Sequence, residues 1–270
     1  MTTTQDALRP DHDPDPQQRA LPQRDLIAGL EKGLAVIEAF DQDKTRLHIS
    51  DIAERCGLTR AAARRYLLTL THLGYVRQEG RQFSLTPKVL RLGQSYLHSA
   101  RLPRIIQPQL HRLAFALQEA SSAGILDQND VICIAATSAG QVVSATLQPG
   151  TRVPAYCTAN GRVLLAGKPQ AEVDAWLSRQ SFEPLTRLTI TNAERLRIEV
   201  ARTRANGFAM VDQELELGLR TIAVPLKNFA GETVAAINVS THSSRMGMDE
   251  LREKCLPALL QTQAQLSSVI

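Results

Sequence analysis

Aromatic residues are scarce in this chain: six Phe, four Tyr and one Trp make up only 4% of its 270 residues. Whatever core it builds must therefore be aliphatic. Long apolar runs are missing as well, so no segment reads as a bilayer-spanning helix. The first residues, MTTTQDALRPDHDPDPQQRALPQR, carry no apolar signal-peptide core, and the chain is expected to stay in the cytoplasm with no membrane partner. Cysteines are few. Cys56, Cys133, Cys157 and Cys255 lie far apart, without a CxxC pair and without a histidine at ligand spacing. That spacing argues against a disulfide framework and a zinc site, and four buried reduced thiols are expected. No metal or other cofactor is called for.

What is present fits two domains by length, and 43% hydrophobic with 21% charged residues is an ordinary globular balance. The net charge of +4 is unevenly placed. Between Lys44 and Arg91 ten basic residues stand against three acidic ones, so the remainder is mildly acidic. Basic charge gathered on one short segment is the footprint of a polyanion partner, the alternative being a solvated basic face.

Residues 1–23, with Pro10, Pro14, Pro16 and Pro22 among aspartates and glutamines, are expected to form a disordered tail. From Leu26 to Phe40 apolar residues recur every three or four positions, the pattern of an amphipathic helix. Helices follow at Ser50–Cys56 and Arg60–Leu73, then a hairpin from Tyr75 to Leu85 turning at Glu79-Gly80. Pro87 opens a helix running to about Arg101 that suits a linker, Pro103 breaks it, and a further helix covers about Arg104 to Ala120. The texture then changes. Short β-branched runs at Val131–Ala136, Val142–Leu147, Thr221–Leu226 and Val234–Val239 alternate with helices near Asn160–Ala166, Ala171–Arg179 and Ala193–Ala205. Gly231 turns the third run back toward the fourth, and a last helix starts at Asp249. The expected class is α+β, a mixed sheet with helices on one or both faces. The expected domains are 24–87, a linker at 88–102, and 103–270.

Ser50 to Thr59 reads as helix, turn and helix start. Ser50 caps the first helix, Gly57 ends it in the left-handed region, Leu58 tucks inward, and Thr59 caps the second. On the second helix Ala63, Tyr66, Leu67, Leu70 and Leu73 fall on one face, while Arg60, Ala61, Arg64 and Arg65 lie on the other. The N-terminal half of such a helix is the part that reaches base edges, and arginine's planar fork suits guanine or phosphate. Arg77 and Arg81 flank the hairpin tip, placed for phosphate contacts. Cap, turn, apolar spacing and arginines agree in order, so the reading is a winged helix-turn-helix on double-stranded DNA rather than a helical hairpin with a charged face. In this region the words GLAVIEAF (Gly33–Phe40), Ile49–Leu73, Gly74-Tyr75-Val76, Phe83–Pro87 and Arg91-Leu92-Gly93 resemble the IclR family of bacterial regulators. The resemblance runs over about residues 26 to 268. Ala62 departs from it, standing where family members often carry threonine.

In the second half, Thr158 can cap a helix beginning TANGRVLLA, leaving the amides of Ala159 to Gly161 free for a carboxylate; an ordinary capped helix is the alternative. Asp212, Glu214 and Glu216 alternate along a stretch that reads as a turn with ion pairs, with Arg220 pairing one of the acids. Asn238 and Ser240 share one strand face and line a pocket or face water. These segments resemble the family's effector domain, a GAF-like α/β fold joined to the DNA reader by a helix. The resemblance implies that Ala159 and Asn160 bind an effector carboxylate through backbone amides. It also implies that Val211, Leu219 and Thr221 form the wall and that Asn238 and Ser240 add polar contacts. Val211 stands where an aspartate can occur and Asn238 where a serine can, which favours a larger, less polar ligand. Arg152 is a further candidate, for the carboxylate or for structural pairing.

The runs GTRVPAYCTANGRVLLA, VDQELELGLRTIAVPL and AAINVSTHSSR are similar to the branch of the family that controls aromatic-acid breakdown. The expected function is a regulator of those genes that responds to a small carboxylate such as 4-hydroxybenzoate or protocatechuate. It is expected to act as a homodimer, or a dimer of dimers, on operator DNA. Alternatives are a sensor of a non-aromatic acid and an architectural DNA-binding protein. An enzyme using Cys157 as nucleophile is disfavoured, since no histidine sits in a partner motif. No catalytic residue is expected.

Overall fold

The computed structural model describes residues 25–41, 44–138 and 147–270, which divide into two units between Gln94 and Ser95. The division falls within the segment read as a linker. The tail at 1–23 and the run at 142–147, apart from Leu147, lie outside the described residues.

The first unit holds α1 (Ala28–Glu38), α2 (Ile49–Arg55), α3 (Arg60–His72) and a hairpin of β1 (Val76–Glu79) and β2 (Gln82–Leu85). Val36, Leu47, Ile52, Leu67, Val76 and Phe83 form its core, all at most 2% exposed. α2 begins one residue earlier than expected. His48 occupies the cap position in extended backbone, and its N–H donates to Asp51 Oδ2 at 2.8 Å. Ser50 therefore sits inside the first turn, because Asp51 supplies the reciprocal contact of a capping box from the third position. Gly57 takes φ +59°, and Leu58 packs against the core as the turn requires. Leu73, expected inside, is 47% exposed because α3 ends at His72 and the chain turns away at Gly74, φ +79°. The apolar stripe of α1 is only half used: Val36 is buried, whereas Ile27 and Leu30 are 74% and 62% exposed.

After a 3₁₀ turn at Pro87–Val89, α4 (Leu90–Ser99) crosses the division and α5 (Arg101–Leu117) follows at once. The break comes at Ala100, whose ψ of 124° is extended. Pro103 does not make it; it lies in the first turn of α5, where a missing N–H costs nothing.

The second unit is built on a six-stranded sheet. Its strands are β3 (Ala120–Asp127), β4 (Asp130–Thr137), β5 (Arg152–Pro154), β6 (Ala209–Asp212), β7 (Leu219–Lys227) and β8 (Thr233–His242). They lie in the order β5-β4-β3-β8-β7-β6, every neighbouring pair antiparallel. β3 is a departure from expectation, since the helix read through Ala120 ends at Leu117, with Gln118 in the left-handed region at φ 55°. The strand lacks β-branched residues early because small ones are needed there. A Cβ on Gly124 would lie 2.4 Å from Val131 Cγ1 and 3.4 Å from Asn160 Nδ2.

Period-two alternation assigns the two faces of the sheet. Ile222, Val224 and Leu226 of β7, with Ala235, Ile237 and Val239 of β8, pack with α5 and α9 (Met248–Ser267). Burial of each valine, leucine or isoleucine among them is worth about 1.5–3 kcal/mol. On the opposite face Ala223 and Ala236 leave room for α6 (Ala159–Ala166), beside which lie α7 (Gln170–Arg179) and α8 (Ala193–Asn206). α6 sits hard against the preceding chain: a Cβ on Gly161 would come within 2.0 Å of the Ala155 carbonyl oxygen.

Candidate nucleic-acid interface and effector pocket

On the first unit, Thr59 caps α3, its hydroxyl accepting the N–H of Ala62 at 3.2 Å. Ala63, Leu67 and Leu70 turn inward, Tyr66 is half-buried, and Arg60, Ala61, Arg64 and Arg65 are exposed together. The hairpin pairs Glu79 with Gln82, leaving Gly80-Arg81 as its two-residue tip, with Gly80 at φ +62°. Arg77 and Arg81 both reach solvent, but their environments differ. Arg77 Nε lies 3.0 Å from Glu79, which Arg46 also approaches at 3.2 Å. Other basic residues counted from the sequence are committed inside the unit. Arg55 binds Asp41 and the Ala39 carbonyl, and Lys88 donates to the Leu73 carbonyl while resting over the Tyr75 ring. Among the described residues Arg60, Arg64, Arg65 and Arg81 form no ion pair, so uncompensated positive charge is concentrated on the recognition helix and the wing tip.

On the second unit, a cavity opens between α6 and the sheet. Counted out to its mouth it has an empty volume of about 450 Å³. Its floor is a row across three neighbouring strands, since Val211 pairs with Thr221 and Thr221 with Ser240. Leu219 and Asn238 extend that floor, Leu147, Val153, Cys157 and Leu215 add apolar wall, and Thr158, Ala159 and Asn160 close the α6 end. Seven of the eight effector residues read from the sequence thus surround one space.

The cap is tighter than expected. Thr158 Oγ1 accepts the Gly161 N–H at 3.1 Å and donates to the Pro154 carbonyl at 3.1 Å. Gly161 is therefore not a free donor, and the open amides at the positive end of α6 are those of Ala159 and Asn160. Among the described residues no lysine, arginine or histidine lines the cavity. The positive end of α6 is the partner they offer a carboxylate.

Arg152, the eighth residue, is elsewhere. Its guanidinium binds Asp127 at 2.7 Å and Asp130 at 3.1 Å, tying β5 to the β3–β4 turn. Those two carboxylates raise its pKa against the opposing effect of partial burial, which is the larger single influence. Structural pairing is its observed role.

Asn238 also does more than line the space. Its Oδ1 accepts both the N–H and the hydroxyl of Ser122, at 2.9 and 2.8 Å, joining β8 to β3. The acidic stretch is not one extended strand. Asp212 ends β6 and binds Arg220 at 2.7 Å, after which Gln213 to Gly218 form a loop with Gln213 at φ 58°. Glu214 turns inward and meets Arg162 of α6 at 2.7 Å, the two side chains 7% and 2% exposed. Sequence reading missed this pair, and an arginine one turn into an apolar helix was the signal available. Cys157 Sγ donates to the Pro154 carbonyl oxygen at 3.7 Å, and the influence of the nearby Arg162 is outweighed. Burial, then the nearby Glu214, pushes its thiol up to about 12, the direction opposite to that of an activated nucleophile. All four cysteines are free, and Cys56 is only partly buried where full burial was expected.

A helix-turn-helix unit and a second unit with a cavity between helix and sheet, carried in one chain, are the parts of a ligand-responsive transcription regulator. The chain belongs to the IclR family. Residues 29–80 match the IclR helix-turn-helix domain and residues 94–268 match the bacterial transcriptional regulator IclR C-terminal domain. The Pca regulon regulatory protein of Pseudomonas putida is 42% identical over 90% of this chain and 84% of its own length. The p-hydroxybenzoate hydroxylase transcriptional activator of Acinetobacter baylyi is 37% identical over 91% and 93%. A transcriptional regulator from Rhodococcus sp. RHA1 superimposes with a TM-score of 0.80 at 43% identity, covering 90% of this chain and 98% of that one. The inducer-binding domain of PobR from Acinetobacter, solved as a double mutant with 3-hydroxybenzoic acid, gives 0.60 at 28% identity over 63% and 100%. Among the described residues no helix is long and apolar enough to cross a membrane, and no cluster of His, Cys, Asp and Glu could hold a metal.

Proposed function

We propose that this chain regulates genes of aromatic-acid breakdown in the cytoplasm, switching its grip on operator DNA when a small aromatic carboxylate such as 4-hydroxybenzoate or protocatechuate enters the cavity. The observation that carries the reading is the pair of open amides, Ala159 and Asn160, at the positive end of α6, facing a space that no charged side chain lines among the described residues. A carboxylate gains from that helix end, and an aromatic ring gains from Val211, Leu215 and Leu219 around it. The relatives' names and the 3-hydroxybenzoic acid complex support the same class.

The DNA contacts in this reading are Arg60, Arg64 and Arg65 at base edges, Thr59 and Ala61 close to the backbone, and Arg77 and Arg81 on phosphates. Two copies would set two recognition helices on a palindromic site, and the exposed apolar residues of α1 supply a surface for pairing. Ligand acts by binding one arrangement of the paired chains better than another. The domain limits in this reading are 24–87, 88–102 and 103–270.

A thermal-shift screen of the full chain with 4-hydroxybenzoate, protocatechuate, benzoate and aliphatic dicarboxylates tests it, alongside binding to the chain's own upstream DNA. A binder at a hundred times its Kd stabilises by about 2.7 kcal/mol. Shifts from the aliphatic acids alone would assign a non-aromatic ligand. No shift from any acid, with specific DNA binding intact, would leave a DNA-binding protein without this effector class.

A further inference from the structure

Among the described residues two carboxamides line the cavity, and only Asn238 is committed through its oxygen. Asn238 Oδ1 holds two hydrogen bonds from Ser122, and its Nδ2 donates to Ser240 Oγ at 3.4 Å. Its capacity is nearly filled by joining strands. Asn160 is 4% exposed, and its Oδ1 has no hydrogen-bond partner among the described residues. Four buried side-chain polar atoms lack a partner there: Glu119 Oε2, Asn160 Oδ1, Arg162 Nε and Thr241 Oγ1. Of these residues Asn160 is the one on the cavity wall.

A buried amide left unpaired is costly, and a native structure that keeps one has a use for it. Nothing on the sheet satisfies this one. Beside its Nδ2 the sheet presents Gly124, with the Val131 side chain packed against the point where a Cβ would stand. Thr221 across the floor also offers an uncommitted hydroxyl, but that oxygen is not sealed from solvent.

We propose that the side chain of Asn160, and not that of Asn238, reads the ligand's ring substituent, and that it selects a hydroxyl. This rests on the aromatic-carboxylate reading above. The carboxylate takes the backbone amides of Ala159 and Asn160; it can only accept, so it cannot satisfy Oδ1. A hydroxyl both donates and accepts. The terminal torsion of asparagine is broad and roughly two-fold, so either end of the amide can be turned to the cavity. A ring hydrogen in the same place leaves the amide unpaired. A site built to bond a hydroxyl rejects the analogue lacking it far more strongly than an apolar pocket discriminates size.

The test is calorimetric titration of the full chain with benzoate and with 2-, 3- and 4-hydroxybenzoate, in the wild type and in Asn160→Leu and Asn160→Ala. The wild type is expected to bind its best hydroxybenzoate at least about tenfold more tightly than benzoate. Both variants should bring that ratio within about threefold, whatever happens to the affinity for benzoate itself. The thermal midpoint of the ligand-free variants should not fall below that of the wild type, whereas a merely structural asparagine would lower it when removed. A wild-type ratio near one, or a ratio that persists in both variants, would overturn the inference while leaving the aromatic-acid reading intact. Failure of every benzoate to bind the wild type would remove that reading, and this inference with it.

Discussion

His48 and Arg81 are joined across 33 positions of sequence: the imidazole Nδ1 lies 3.0 Å from the Arg81 carbonyl oxygen. A carbonyl only accepts, so Nδ1 carries the proton. The contact ties the start of α2 to the tip of the wing, beside the isolated Leu47–Phe83 bridge that joins the preceding chain to β2. His48→Ala should therefore loosen the wing. The expected loss is about 0.5–1.5 kcal/mol of stability, the usual worth of one hydrogen bond, together with weaker operator binding. Denaturant unfolding and fluorescence anisotropy with labelled operator measure the two effects.

Charge partners separate the arginines by role. Arg64→Ala or Arg65→Ala should cost about 1–3 kcal/mol of operator affinity, with relaxed preference if a base contact is lost. Glu79→Gln acts in the opposite direction. It releases both Arg46 and Arg77, so binding to random duplex should tighten and its salt dependence steepen. An unchanged salt slope in this variant would show that neither arginine reaches phosphate.

The buried pair Arg162–Glu214 gives a prediction about stability. Glu214 also receives the Ile190 N–H at 3.1 Å, so its loss leaves two donors as well as a charge stranded. Glu214→Leu or Arg162→Met alone should destabilise by about 3–5 kcal/mol, and the double variant should recover most of that loss. A double-mutant cycle in urea reads it directly.

Alkaline pH should destabilise the chain. Burial pushes the thiols of Cys157 up to about 12 and of Cys133 and Cys255 up to about 11, above the ordinary value near 9.0. The folded state therefore keeps protons that the unfolded chain gives up. Stability contributed by these thiols is complete below about pH 9 and is lost progressively as pH rises from there toward 11–12. Unfolding in urea at pH 8 and pH 10 should show the fall, and Cys157→Ala should make the slope shallower.

Arg152 offers a negative control. Its side chain is 45% exposed and held by two carboxylates outside the cavity. Arg152→Ala should leave benzoate affinity within about twofold and cost at most about 1 kcal/mol of stability. A large loss of affinity would return Arg152 to the ligand site.

Much of this was legible in the sequence because short-range chemistry decides it. Gly57, Thr59 and the inward spacing of Ala63, Leu67 and Leu70 are local signals, and the structure realises them. The TAN segment likewise announced its own cap. What escaped was set by distant partners. β3 reads poorly as a strand because its small residues answer to Asn160 and Val131, not to their neighbours in sequence. Arg162 and Glu214 are 52 positions apart, and nothing local pairs them. Arg152 could not be separated from a ligand contact until Asp127 and Asp130 were found around it. The cap of α2 moved from Ser50 to His48 because hydroxyl preference at a helix start yields to a well-placed acid three residues on.

The row Val211, Thr221 and Ser240 crosses adjacent strands whose alternate residues, Ile222 and Val239, face the other way into the main core. Chemical taste and mechanical strength are thus written on opposite sides of the same ribbons. An ancestral protein of this shape can exchange one floor residue for another, lengthening or shortening the guest it admits, without disturbing the packing that keeps it folded. Diversification of sensors on a common scaffold follows from nothing more than the two-residue repeat of a β-strand.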